Sequence, residues 1–143
     1  MKNPPVVQEQ NKRQISGKKA HFENKFYIVS RIRYNSWAAQ VLKACDIVIY
    51  ERELVHIQNR HGKELDFLGL TAFDFVKFIV FNFNEIYEGN HGVKILVVRR
   101  KKSSHYSVIE LSFEEDRYTI KTALSIETKR LSKWKLLFAN LAH

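Results

Sequence analysis

The sequence predicts an α+β domain, with N-terminal helices packed on one face of a curved antiparallel β-sheet and a flexible basic arm in front. Three observations carry this. Apolar residues recur at a helical period through residues 51–89, and from 92 to 125 the period falls to two. Residues 1–21 hold both prolines, five cations against one acid, and few large apolar side chains. The chain therefore divides into an arm (1–21) and a single domain (22–143).

Each element has its own signal. "KFYIVSRI" (25–32) mixes aromatic and β-branched residues and reads as a strand. "NSWAAQVLKA" (35–44) opens with capping residues and predicts a short helix. "DIVIY" (46–50) predicts a short buried strand, and "ERELVHIQNRHG" a helix that stops at Gly62. "TAFDFVKFIVFNFNEIYEG" (71–89) predicts the longest helix, capped by Thr71 with Asp74 three residues on and ended by Gly89. "GVKILVVRR" (92–100) is apolar on both faces and reads as a central strand. "HYSVIELSF" (105–113) and "RYTIKTALS" (117–125) alternate, completing a three-stranded meander around an "EED" turn. Alternation places Thr122 with Tyr118, Ile120 and Leu124. In "RLSKWKLLFANLAH", Leu131, Trp134, Phe138 and Leu141 make a helical stripe, although "KWKLLF" also suits a strand.

The bulk composition narrows the function. Forty-five per cent apolar residues describe a folded chain, and no apolar run reaches the roughly 18 residues a bilayer crossing needs. The polar N-terminus lacks the pattern of a secretion signal. Cys45 is alone, which excludes an intramolecular disulfide and a thiolate metal cage, so a cytoplasmic protein is expected. The net charge is +9, with 24 Lys and Arg against 15 Asp and Glu. Such a field gathers polyanions, nucleic acid above all, with acidic lipid or an acidic protein as other takers.

Chemistry concentrates in "HIQNRHGKEL" (56–65). On a wheel of about 100° per residue, Leu54, Ile57 and His61 form the stripe that faces the sheet. Arg52, His56, Asn59 and Arg60 lie on the polar side, with His56 and Arg60 neighbours at four residues' spacing. A zinc site is disfavoured, because the histidines are five apart and no "HExxH" is present. Metal-free RNA cleavage suits these residue types better: the 2′-hydroxyl is the nucleophile, imidazole moves protons near neutrality, and Arg or Lys holds the phosphate. Candidate catalytic residues are His56, Arg60, His61, Lys121 and Thr122, with His61 expected to meet the inward hydroxyl of Thr122. Arg99, Arg100, Lys101, Lys102, Lys133 and Lys135 are candidate RNA contacts. No metal or other cofactor is expected.

"IYERELVHIQNRHGKE", "LGLTAFDFVKFIVFNFNEIYEG", "KILVVRR", "YSVIELSF" and "YTIKTAL", in that order, resemble the phage-associated branch of the barnase, EndoU, colicin and RelE-like (BECR) nuclease superfamily. The resemblance spans residues 46–125 and rests on "HIxxRH" in the helix and "KTA" in the last strand. It implies a metal-independent endoribonuclease, a toxin or phage effector acting on tRNA or another cellular RNA, with a cognate inhibitor or immunity protein as partner. Carried over by position, the helix motif falls on His56, Arg60 and His61, and the strand motif on Lys121 and Thr122. Two other classes stay open: a non-catalytic nucleic-acid-binding module, and a factor that grips an acidic protein.

Overall fold

Lys25–Arg31 (β2) and Asp46–Tyr50 (β3) are strands, as their β-branched and aromatic side chains favour, and they pair antiparallel from Phe26–Tyr50 to Arg31–Asp46. The structure, a computed structural model, describes residues 7–9, 25–100 and 104–140. Within the segment expected to be an arm, Val7–Glu9 (β1) instead adds an edge strand antiparallel to β2. The rest of that segment lies outside the described residues. Between β2 and β3 the predicted helix shrinks to one 3-10 turn, Trp37–Gln40. Ten residues are too few to hold a helix by propensity, and packing fixes Trp37 instead: its ring sits 5.3 Å from both Phe83 and Phe138.

The first helix, α1 (Glu51–Leu68), overrides its predicted stop. His61 leaves helical geometry (φ −119°, ψ 21°) and kinks the rod, yet the helix continues past Gly62 to Gly69. Leu65, 1% exposed, explains this. Burying a leucine is worth about 1.5–3 kcal/mol, against roughly 1 kcal/mol for a mid-helix glycine. Gly69 (φ 72°) makes the true left-handed cap, with Leu70 N–H donating to the Leu65 carbonyl.

The second helix, α2 (Ala72–Asn82), starts where the sequence predicts, with Thr71 and Asp74 closing a reciprocal capping box. It ends earlier than expected. Residues 85–88 form a strand, β4 (Glu85–Glu88), because Asn84 behaves like an extra ladder rung: its amide bonds both the N–H and the carbonyl of Arg99. Strands β5 (Lys94–Val98), β6 (His105–Glu114) and β7 (Arg117–Glu127) form the predicted meander. The tail is not a helix. A 3-10 segment (Thr128–Lys133) leads into β8 (Lys135–Ala139), whose apolar run pairs with β4; Leu141 lies outside the described residues.

The sheet is therefore larger than predicted and mixed rather than purely antiparallel. Its order is β1-β2-β3-β7-β6-β5-β4-β8, and the β3–β7 contact is parallel. Strands also precede the helices in the chain. One face, with Ile47, Ile49, Leu96, Ile109, Leu111 and Ile120, is covered by α1 and α2 through Ile57, Leu65, Val76 and Ile79. The other face buries Val97, Val108 and Ile126 beneath Leu131 and Trp134. Among the described residues no helix is long and apolar enough to cross a membrane.

Two tyrosines tie this frame to pH. Tyr27 donates to Glu51 and Tyr87 to Glu85, and burial, then these carboxylates, pushes both phenols up to about 12 from an ordinary 10.0. Raised acids stabilise the fold below their unfolded pKa, so the contribution is whole up to pH 10 and is lost as pH climbs toward 12. Thermal melts should fall across that window, and the double variant Tyr27→Phe/Tyr87→Phe should show a flatter decline. An identical slope in both proteins would assign the alkaline loss to other groups.

Candidate active site

Where β3 runs out, α1 begins. β3 pairs with β7 only at Ile47–Tyr118 and Val48–Thr119, and past Tyr50 the chain turns directly into α1, which packs along the continuation of β7. At the same level β7 carries a bulge: Glu110 pairs with Thr122 while Leu111 pairs with Ile120, leaving Lys121 as the extra residue. A bulge breaks alternation and re-aims the side chains beside it. Thr122 and Leu124 therefore leave the phase of Tyr118 and Ile120, and Ala123 takes the helix-covered face instead.

These two irregularities open a pocket of about 200 Å³ lined by Glu53, His56, Ile57, Arg60, Lys121 and Thr122. Ile57 is its apolar floor at 2% exposed, while His56 and Arg60 are exposed on the rim. Among the described residues neither His56 nor Arg60 has a hydrogen-bond or ion-pair partner. The Lys121 ammonium sits 3.2 Å from Glu114, and Glu53 has the Arg52 guanidinium at 3.5 Å. The pocket thus holds one imidazole, one carboxylate and two cations, open to solvent; Thr122 lines it from the bulged edge of β7, while its side chain takes the face of its partner Glu110, away from the helices. That set can move protons at neutral pH and bind a phosphate.

Four of the five predicted catalytic residues come together here from distant parts of the chain. His61 does not. It lies at the kink, about a quarter exposed, with Nδ1 3.9 Å from Glu64. The wheel placed it on the sheet-facing stripe of a straight helix, and the kink removes that premise. Glu53 was missed. The available signal was its spacing, three before His56 and seven before Arg60, which keeps it on their side of the helix.

The predicted RNA contacts divide. Arg99 and Arg100 lie on opposite faces. Arg99 is bound to the Glu85 carboxylate and lies over Tyr106, whereas Arg100 lies over Phe78 on the helix side. Lys133 stands over Trp134 on the face away from the helices, and Lys135 opens β8, four strands from β7 or roughly 19 Å. Lys101 and Lys102 lie outside the described residues. Among the described residues no three His, Cys, Asp or Glu side chains form a metal-ligand group.

Compared with known proteins, the chain matches no family model, no curated protein and no solved structure.

Proposed function

We propose that the protein is a metal-independent RNA endonuclease whose reacting phosphate sits in the Glu53–His56–Arg60–Lys121–Thr122 pocket. The observation that carries this is the convergence of helix and strand groups on one open pocket, in a chain of net charge +9. The Glu53 carboxylate takes the proton from the ribose 2′-hydroxyl, the 2′-oxygen bonds to phosphorus, and the bond to the 5′-oxygen breaks. Protonated His56 supplies the leaving oxygen with its proton. Arg60 and Lys121 offset the charge that grows on the phosphoryl oxygens. The products are a 2′,3′-cyclic phosphate and a 5′-hydroxyl. The resemblance to BECR nucleases supports the same reading and favours tRNA or another cellular RNA as substrate and an inhibitor protein as partner.

The test is incubation with total RNA in EDTA, followed by analysis of the new ends. Fragments ending in 2′,3′-cyclic phosphate are expected. Intact RNA at high protein concentration, from a preparation free of other chains, overturns the reading. Binding that weakens steeply with salt would then leave a non-catalytic nucleic-acid module, which the net charge favours as the second reading.

A further inference from the structure

A second pocket lies further along α1, and we propose that it is a nucleobase subsite, receiving the base beside the scissile phosphate and preferring bases with an exocyclic amino group over uracil. Its place next to a cleavage site rests on the nuclease reading; its ligand chemistry stands on its own lining.

Its volume is about 340 Å³, at the size where small-molecule sites begin. Phe75 and Phe78 from α2 form an aromatic wall, and the Arg100 guanidinium lies 4.9 Å over the Phe78 ring at the mouth. Aromatic faces and guanidinium planes are what unpaired bases stack on. The floor holds Ser107 and Ser125, which pair across β6 and β7 on the face that otherwise carries Ile109 and Ala123. Both serines are half-buried, and among the described residues neither hydroxyl has a hydrogen-bond partner. Two unengaged hydroxyls beside the apolar side chains of Leu70, Phe75 and Val98 are orienting groups for a polar ligand edge.

Glu64 lines the same pocket with its side chain 40% exposed. Among the described residues its one ion-pair contact is with His61 Nδ1 at 3.9 Å, too far for a hydrogen bond. The carboxylate is therefore available to accept from the amino group of cytosine, adenine or guanine, whereas the carbonyl that uracil presents in place of cytosine's amino group repels it. His105 flanks the opening, its Nδ1 3.0 Å from Ser104 Oγ.

Spacing joins the two pockets. Glu53 and Arg60 line the phosphate pocket from before the α1 kink, and Glu64 and Leu68 line this one from beyond it. Arg60 and Glu64 stand four residues apart on either side of that kink, about 6 Å of helical rise. That separation is comparable to the step between neighbouring nucleotides, with the α1 kink at the boundary.

The test uses short 2′-O-methyl oligonucleotides, which lack the nucleophile and so report binding alone, carrying C, A, G or U at one position in a uridine background. Wild type should bind the amino-bearing bases at least five-fold tighter than uracil. Glu64→Gln should erase most of that preference, and Ser125→Val should weaken all four bases alike. Equal affinity for all bases, or an undiminished preference in Glu64→Gln, overturns the proposal. Base-selective binding without cleavage of ordinary RNA would sink the nuclease reading and leave the subsite standing.

Discussion

His56→Gln is expected to lower RNA cleavage at least about 100-fold, the minimum worth of a positioned proton donor, with melting temperature and RNA affinity close to wild type. The side chain is exposed and makes no bond to any described residue, so nothing in the fold depends on it. Arg60→Ala should reduce cleavage comparably and also weaken binding, because it removes a phosphate contact. His61→Gln separates this arrangement from the straight-helix reading. Placed outside the pocket, His61 should tolerate the change with cleavage altered no more than a few-fold. If His61→Gln silences the enzyme while His56→Gln does not, the roles assigned here are reversed.

Arg99→Ala should cost about 2–3 kcal/mol of stability, read from the denaturant midpoint. Glu85 is 3% exposed, and its charge is held by Arg99 and by the Tyr87 hydroxyl at 2.8 Å. Removing the cation strands a carboxylate in the core, a change worth roughly 3–5 kcal/mol for a fully buried pair. Arg99 is itself nearly half exposed, so water softens the loss. Adding Glu85→Leu to Arg99→Ala should recover most of the stability, since the stranded charge is then gone. Unchanged stability with weakened RNA binding would instead return Arg99 to the phosphate contacts suggested by its place in a basic run.

The contrast between Arg99 and Arg100 shows where sequence reading stops. Adjacent strand residues point to opposite faces, but which face met the helices depended on pairings not visible locally. The meander, the α2 start and the gathering of His56 and Arg60 were legible because each follows from short-range periodicity or capping. Long-range events escaped. β4 exists because β5 and β8 flank it, and the Lys121 bulge exists because β6 and β7 mismatch by one residue. That bulge makes the site while breaking the alternation by which Thr122 was first noticed. α1 passes Gly62 because Leu65 has a core to enter.

The parallel junction of β3 with β7 has a consequence for synthesis. Residue 47 finds its neighbour only when residue 118 exists, and the strand that delivers Lys121 and Thr122 is made long after β3 and α1. A growing chain therefore carries the imidazole half of the constellation without its counterpart until β7 has been made. Under the nuclease reading proposed above, the ribosome meets no assembled site before that strand has emerged.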